Sequence, residues 1–331
     1  AGEGQHHGNA NHCNTYRFRG PRMLTAVSML VALTLDWLIG WPEPVFRRIG
    51  HPVTWIGAMI SAHNARFNTP DMPQRFFGIF TTITVIGATT LVALSATVLL
   101  PEGVPGAILA GVLAWPLVAA RAMFDHVEAV RAPLSDNNLS KARVEVAKIV
   151  GRDPETLDAQ GVARATLESL AENTSDGIVA PVFWGVVFGL PGIAAYKAIN
   201  TLDSMIGHRN ETYRAFGWAA ARTDDIANLV PARRTGVLSA LVTLSATAVK
   251  VMWRDARLHR SPNAGWPEAA MAGALGVRLS GPRGYGGTWS DEPWVNEGAP
   301  DPDATVIARA LGVFRRLLVA LGVALVVLAS L

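Results

Sequence analysis

The chain has almost no cysteine and little charge. Cys13 is its single cysteine among 331 residues, which excludes an intrachain disulfide, a cysteine-based metal site and a redox pair of cysteines. Charged residues make up only 17% and hydrophobic residues 50%, whereas soluble domains carry about 25% charged residues. Dense runs of lysine and arginine with interleaved aromatics are also missing, so no nucleic-acid partner is expected. The composition favours a membrane protein.

Several patterns that mark other fold and enzyme classes are absent from the sequence. No GxxxxGK[ST] motif occurs, so an ATP site in this chain would not be a P-loop. No GxSxG motif occurs, which argues against the nucleophile elbow of a serine hydrolase. Neither a long alternating β pattern nor an internal repeat is evident. The sequence therefore predicts a mainly α fold.

Six apolar segments are candidates for membrane helices, because about 20 apolar residues are needed to cross a bilayer. They are residues 23–40, 77–100, 104–120, 177–199, 236–252 and 314–331. We predict a polytopic integral membrane protein, a single membrane-embedded domain over residues 23–331, with helical and loop-rich polar segments at one membrane face. The long stretch 253–304 is rich in Gly, Pro and Trp and is predicted to be mostly loop. Residues 1–22 are polar and are predicted to be a disordered leader or a remnant of cloning.

Segment 177–199 raises a question of topology. It is apolar but interrupted by Pro181, Gly185, Gly189, Pro191 and Gly192. If every apolar segment crossed fully, the basic stretches 121–176 and 200–235 would fall on opposite sides, although positive charge favours the cytoplasm. Irregular backbone is tolerated at membrane depth where it is buried in protein. A re-entrant 177–199 would return both basic stretches to one face.

Carboxylates and amides cluster beside the apolar segments, where they are costly unless something pairs with them. Glu168, Glu172 and Asp176 have the spacing of one helical face. Because like charges at that spacing repel, a cation must offset them or one must be protonated. A solvated helix face is an equal alternative for Glu168 alone. Glu172 and Asp176, with Asn173, border the apolar run and are the stronger candidates for a site.

Two further polar groups repeat this pattern. One lies at the end of segment 177–199 and the other in the stretch that follows it. Carboxylate and amide oxygens suit Mg²⁺, which completes its coordination with waters and substrate phosphates. A helix cap is the alternative for any single residue, but it does not account for the whole set. The predicted metal ligands are Asn200, Asp203, Asp224, Asp225 and Asn228.

Basic and small residues near these groups are candidates for contacts with phosphate. Guanidinium groups bind phosphate oxygens bidentately, and small residues let free backbone N–H groups approach an anion. The candidates are Lys197, Arg209, Arg222, Arg233, Asn263 and Gly265. The last two lie in a glycine-rich stretch that is a weak pattern, since a packed structural loop looks similar. The histidines show no metal-ligand spacing, which favours structural or supporting roles for them.

Several motifs occur in order between residues 30 and 288. They are HPVTWIG at 51–57, ESLAENTSDG at 168–177 with APVFW at 180–184, YKAINTLDSMIG at 196–207, AARTDDIAN at 220–228 with PAR at 231–233, and SPNAG at 261–265 with AGALG at 272–276. Together they resemble the adenosylcobinamide-phosphate synthase family (cobalamin biosynthesis proteins CobD/CbiB). One small departure is Ser280 before Gly281-Pro282, where the family pattern has a second glycine.

The resemblance implies an ATP-dependent amide ligation late in cobalamin biosynthesis. The amine of (R)-1-aminopropan-2-ol, or of its O-phosphate, would join a propionate of adenosylcobyric acid to give adenosylcobinamide or its phosphate. ATP would be the co-substrate and Mg²⁺ the cofactor, with Glu172 or Asp176 as the base. We further expect a multi-pass protein of the cell (inner) membrane, in contact with the lipid bilayer, with its active site facing the cytoplasm. A homo-oligomer is compatible with the sequence.

Other functions remain open at this point. A distant membrane relative, AmpE-like and associated with β-lactamase regulation, would be a signalling or sensor protein, but the dense Asp, Asn and Arg motifs argue against it. A Mg²⁺-dependent membrane transferase acting on diphosphate substrates would also use Asp-rich helices, and the spacing of Asn200 and Asp203 is similar to that pattern. A transporter with broken helices would hold its polar residues deep within the spans, whereas most here lie at span edges.

Overall fold

A computed structural model describes residues 20–151, 154–208, 210–285 and 288–331. The prediction of a leader falls mostly on residues 1–19, outside the described residues, while residues 20–22 open the first helix. The helices are α1 (Gly20–Ile39), α2 (Glu43–Ile49), α3 (Pro52–Phe67), α4 (Gln74–Leu99), α5 (Gly103–Ala114), α6 (Ala120–Ser135), α7 (Leu139–Val146), α8 (Ala159–Thr174), α9 (Ala180–Ile206), α10 (Trp218–Ala227), α11 (Leu229–Thr243), α12 (Ala246–Asp255), α13 (Gly265–Leu275) and α14 (Ala304–Ser330). A π-helical turn, Ser175–Val179, joins α8 to α9.

Five helical segments of the described chain are long and apolar enough to cross a membrane. They are Arg22–Ile39, Gln74–Leu99, Gly103–Ser135, Ala159–Ile206 and Ala304–Ser330. This finding confirms the prediction of a mainly α, multi-pass membrane protein. The expected apolar segment 236–252 is instead divided between α11 and α12. Leu244 adopts a left-handed backbone with φ 49° after α11, and the Ser245 hydroxyl then caps α12 by accepting from the Ala248 N–H at 3.0 Å.

The prediction that 253–304 is mostly loop was wrong for one buried helix. Helix α13 runs through the glycine and proline residues that suggested a loop. Pro267 lies in its first turn, where a missing N–H breaks no helical hydrogen bond, and Gly276 ends it with φ 71°. The described residues after it contain the short strands β1 (Leu279–Ser280), β2 (Arg283–Tyr285), β3 (Thr288–Ser290) and β4 (Trp294–Val295). They form two antiparallel pairs, β1 with β4 and β2 with β3.

Helix α1 lies at the centre of the apolar core. It packs against α5, α9 and α14, and its buried Met29 belongs to the same hydrophobic cluster as Phe314 of α14. A second cluster joins α3, the end of α9 and the segment before α10 through Ile60, Leu202 and Phe216. The C-terminal end of α9 therefore packs on a different part of the core from Val182 and Ile193 of the same helix.

Helix α9 folds back on itself at Gly189. This residue has φ 67° and ψ −153°, a region of backbone conformation that is essentially restricted to glycine, and Pro191 follows it. A straight helix would separate Ala180 from Tyr196 by about 24 Å, at 1.5 Å per residue. Instead both residues lie in one buried cluster with Ala227. The fold-back brings the two ends of the broken apolar segment to the same place, as the re-entrant interpretation of 177–199 requires.

Candidate functional site

A polar pocket of about 840 Å³ lies where the two ends of the broken segment meet. Glu172 and Asn173 reach it from the end of α8, and Asp203 reaches it from the end of α9. The remaining polar and charged lining residues are His126, Lys148, Ser204, His208 and Arg260. The fold-back at Gly189 thus assembles in space two motifs that are 30 residues apart in the sequence.

A chain of buried hydrogen bonds fixes the carboxylate of Asp224 beside this pocket. The Tyr196 hydroxyl donates to Oδ1 of Asn228 at 2.8 Å, and Nδ2 of Asn228 donates to Oδ2 of Asp224 at 3.0 Å. All three residues are buried, with exposures of 1%, 1% and 9%. The other oxygen, Oδ1 of Asp224, is buried without a hydrogen-bond partner among the described residues. A buried carboxylate oxygen in that state is available to a cation or a proton.

Negative charge accumulates around Asp224. Burial, and then the nearby charge of Asp203, raises the pKa of Asp224 from 3.8 to about 7. Asp225 and Glu172 act in the same direction. Asp176 also lies within electrostatic range of Asp224, Glu172 and Asp203. The ligand-free site therefore brings several carboxylates within electrostatic range of Asp224, an arrangement that suits the uptake of a cation.

The π-helical turn positions Asp176. Its Gly177 carbonyl accepts a hydrogen bond from the Ala119 N–H at 3.1 Å, which docks the turn on the start of α6. The carboxylate of Asp36 caps the same helix end, since its Oδ2 accepts from the N–H groups of Ala120 and Arg121 at 2.6 and 3.0 Å. Hydrogen bonds thereby join the end of α1, the start of α6 and the π-helical turn that carries Asp176.

Glu168 is separated from the other two acidic residues of its motif. It is buried, with 5% of its surface exposed, and its Oε1 accepts from the Ser280 N–H of β1 at 2.8 Å. Glu172, one turn further on, is exposed to the polar pocket. The structure therefore gives Glu168 a role in anchoring the pair of strands β1 and β4. The other two acidic residues lie near Asp203 and Asp224. We call Glu172, Asp176, Asp203 and Asp224 the carboxylate cluster.

Lys197 is buried inside the protein, with an exposure of 9%. Asp176 and Asp36 lie within its electrostatic range, one on each neighbouring element. Lys197, a predicted phosphate contact, therefore lies inside the protein with two carboxylates within electrostatic range. His51 lies nearby, where burial and then the charge of Lys197 lower its pKa. Nδ1 of His51 accepts from the Val53 N–H at 3.1 Å and so caps α3, a structural role as expected.

Arg222 and Asp225 form an ion pair on the surface of α10. Their side chains approach to 3.2 Å and Arg222 is more than half exposed. Asp225 therefore points toward an arginine, whereas its neighbour Asp224 points into the buried cluster. Arg209, another expected phosphate ligand, lies outside the described residues.

Arg233 and Asn263 brace the segment before α13 against α10. Nη1 of Arg233 donates to Oδ1 of Asn263 at 2.9 Å, and Nδ2 of Asn263 donates to the Asp225 carbonyl at 2.8 Å. Gly265 packs so closely that a Cβ atom there would collide with the Ala256 carbonyl. These three expected phosphate-binding positions are held by contacts within the protein.

The donor set around Asp224 fits Mg²⁺. Nowhere in the described parts of the chain do three Asp, Glu, His or Cys side chains converge closely enough to hold a metal ion by themselves. Mg²⁺ does not need such a cage, because it commonly takes one or two protein carboxylates and completes its coordination with waters and phosphates. Asp224 offers a buried carboxylate oxygen without a hydrogen-bond partner among the described residues, and Asp203 lies close enough to raise its pKa. Asn200 lies one turn before Asp203 on α9.

The sequence prediction missed several residues of the site. His126, Lys148 and Arg260 line the polar pocket, but they come from separate stretches, and no spacing connects them to the acidic motifs. Asp36 offered a signal that was not used, because a carboxylate within an apolar segment marks a functional or structural contact. The Tyr196–Asn228 hydrogen bond was also not expected, although both residues lie in the quoted motifs.

Comparisons with known proteins agree with the motifs. The family profile described as "CobD/Cbib protein" matches residues 29–314. "Cobalamin biosynthesis protein CobD" of a Rhodobacter capsulatus strain is 58% identical over 292 residues, covering 88% of this chain and 93% of the relative. Proteins of the same name from Brucella suis biovar 1 and Sinorhizobium fredii are 47% and 44% identical, covering 87% and 91% of this chain and 92% and 95% of the relatives. No solved structure matches the chain.

Proposed function

Because the chain belongs to the CobD/CbiB protein family, we propose that it catalyses an ATP-dependent amide ligation in cobalamin biosynthesis. The reaction would join (R)-1-aminopropan-2-ol, or its O-phosphate, to a propionate of adenosylcobyric acid. The observation that carries this proposal is the carboxylate of Asp224, which is buried beside a polar pocket with one oxygen lacking a hydrogen-bond partner among the described residues. Such a carboxylate supports chemistry that uses a cation and a phosphate at a membrane face.

The carboxylate cluster suits the Mg²⁺ ion that would accompany the ATP phosphates. Asp203 and Asp224, helped by Asn200 and Asn228, would hold Mg²⁺, and the bound ion would offset the negative charge of the ATP phosphates. The hydrogen bonds from Tyr196 through Asn228 keep the Asp224 carboxylate oriented before the ligands arrive. Preorganised charges of this kind cost no rearrangement at the moment of reaction.

The basic residues of the polar pocket suit the phosphates. Lys148 and Arg260 line the pocket together with Glu172 and Asp203. Lys148 already pairs with Glu145 at 2.7 Å and is half exposed, so it can exchange that contact for a phosphate oxygen. ATP would activate the propionate as an acyl phosphate, releasing ADP, and attack by the amine would then release inorganic phosphate and form the amide.

Glu172 is the best placed base. The attacking amine must lose a proton as the amide forms, and an ionised carboxylate within reach accepts it. Glu172 is exposed to the polar pocket, whereas Asp176 is less accessible beneath it. We therefore assign proton transfer to Glu172 and a supporting electrostatic role to Asp176. The basic residues lining the pocket favour a cytoplasmic active site in the cell (inner) membrane.

The test is a mass-spectrometric assay on the purified, membrane-reconstituted protein. With ATP, Mg²⁺, adenosylcobyric acid and either amine, the wild-type protein should form the amide and ADP, and the two amines compared in parallel identify the preferred one. Asp224→Asn should lower the rate by about a hundredfold, while Asp71→Asn, the same change on an exposed turn, should leave it unchanged. Absence of ATP turnover in the wild type would overturn the proposed reaction, and full activity of Asp224→Asn would overturn the metal assignment.

The names of the relatives argue against the AmpE-like and diphosphate-transferase functions. The compared relatives carry the name of a cobalamin biosynthesis protein, and the acidic residues around Asp224 follow the motifs of that family. If the assay yields no amide, hydrolysis or transfer of a lipid diphosphate under the same conditions would direct attention to the transferase.

A further inference from the structure

A second cavity, separate from the polar pocket, opens beside the last helix of the chain. This apolar groove has a volume of about 910 Å³ and lies between the first half of α9, helices α11 and α12, and the end of α14. Its walls are aliphatic and aromatic side chains, among them Val186, Leu238, Leu241 and Leu325. The first half of α9 and the end of α14 both belong to segments that are long and apolar enough to cross a membrane. The groove therefore lies within reach of the lipid chains.

One end of the apolar groove is basic. Arg233, Arg234 and Arg257 all line it. The Arg234 guanidinium lies over the Phe183 ring at 4.8 Å, and the partners of Arg233 are the neutral oxygens of Asn263 and two backbone carbonyls. Among the residues that the structure describes, none of the three arginines forms an ion pair with a carboxylate. Burial, and then the charge of Arg257, lowers the pKa of Arg233, as expected where like charges lie close together.

We propose that the apolar groove binds an anionic phospholipid, with its phosphate headgroup between Arg234 and Arg257 and an acyl chain along the aliphatic wall. Charge complementarity identifies the headgroup, because adjacent arginines without counter-ions favour an anion. The apolar wall beside these arginines favours a ligand that also carries a hydrocarbon chain. A corrinoid carries amides around its rim, and burying those amides against aliphatic side chains would leave them without hydrogen bonds.

The lipid would also be connected to the carboxylate cluster. Arg233, at the basic end of the groove, holds Asn263, which in turn holds the backbone carbonyl of Asp225. Asp225 directly follows Asp224 in α10. A headgroup that draws the arginines together would therefore stabilise the brace on which α10 rests, without touching the reacting groups.

The experiment reconstitutes the full chain in membranes of equal phosphatidylglycerol and phosphatidylcholine and counts retained lipids by native mass spectrometry. The wild-type protein should retain phosphatidylglycerol in preference to phosphatidylcholine. The double variant Arg234→Gln and Arg257→Gln should lower this preference about 25-fold, since each arginine near a membrane surface contributes roughly fivefold. The matched control, Arg47→Gln with Arg48→Gln, removes the same charge from an exposed helix that does not line the groove and should retain the preference.

A second variant tests the apolar wall without changing charge. Leu241 is 61% exposed, so Leu241→Trp should fold normally, as an unchanged thermal midpoint would show, yet fill the groove and displace the lipid. Equal retention of the two lipids by the wild type, or an equal loss in the Arg47 and Arg48 control, would overturn the proposal. Lipid retention in Leu241→Trp would do the same. Release of the lipid by adenosylcobyric acid alone would instead assign the groove to the corrinoid.

Discussion

Replacing Asp224 by asparagine should make the ligand-free protein more stable while it lowers the rate of amide formation about a hundredfold. Burial and the charge of Asp203 raise the pKa of this carboxyl from 3.8 to about 7. A difference of one in pKa corresponds to about 1.36 kcal/mol. At pH 8 the folded, ligand-free protein is therefore destabilised by about 4 kcal/mol through holding this group ionised, and Asp224→Asn removes that cost. The asparagine side-chain oxygen can still accept the hydrogen bond from Asn228.

The stability of the folded protein should fall as the pH rises, because the folded and unfolded states bind the Asp224 proton differently. Between pH 3.8 and about 7 the folded state keeps a proton on Asp224 that the unfolded chain has lost, so the stability falls as the pH rises through that window. At pH 5 the cost is about 2 kcal/mol, by the same conversion. The stability difference between Asp224→Asn and the wild type should therefore widen by roughly 2 to 3 kcal/mol from pH 5 to pH 8.

Thermal unfolding in detergent without Mg²⁺ measures this difference, and the 10 tryptophans of the chain provide the fluorescence signal. Asp224→Asn should unfold at a higher temperature than the wild type, by more at pH 8 than at pH 5. Asp71→Asn should match the wild type at both values. A variant that is less stable than the wild type, or a gap that does not depend on pH, would refute the account of Asp224 as a buried carboxylate whose ionisation destabilises the fold.

Two further predictions concern the cation and the fold-back. The rate of amide formation should rise with pH toward a plateau above about 7. A higher Mg²⁺ concentration should shift the midpoint of this rate–pH profile to lower pH, because the cation and the proton compete for Asp224. A midpoint that does not change with Mg²⁺ concentration would contradict this. In a Cys13→Ser background, cysteines at Ala180 and Tyr196, which share one buried cluster, should be joined in a disulfide by a membrane-permeant oxidant, as peptide mass spectrometry would show. A second pair at Ala180 and Phe188, on one straight stretch of helix, should not be joined, and the opposite pattern would mean that α9 is continuous.

The membrane helices were predictable because length and apolar composition determine them directly. Segment 77–100 coincides closely with α4, and segment 314–331 covers the second part of α14, which begins at Ala304. Helix α13 was missed because its glycine and proline residues were weighed as loop residues, although Pro267 in a first turn and Gly276 after a last turn are typical helix boundaries. The division between α11 and α12 depends on a left-handed Leu244, which nothing in the apolar pattern indicates.

The acidic half of the site was predictable to a greater extent than the basic half. Spacing on α8, α9 and α10 identified Glu172, Asp203 and Asp224 as neighbours of apolar segments, and the fold-back brings all three together. The partner of an arginine, by contrast, is decided by tertiary contacts. Arg233 satisfies its donors with Asn263 and backbone carbonyls, which the sequence alone could not distinguish from binding phosphate.

The break at Gly189 also affects how many times the chain is counted as crossing the bilayer. A segment that enters and leaves through one face adds no crossing, whereas a hydropathy profile would count residues 177–199 as one. If residues 177–199 enter and leave through one face, the two ends of α14 face the sides opposite to those that such a count assigns. A single glycine in a conformation closed to other residues would then decide on which side of the membrane each later segment lies.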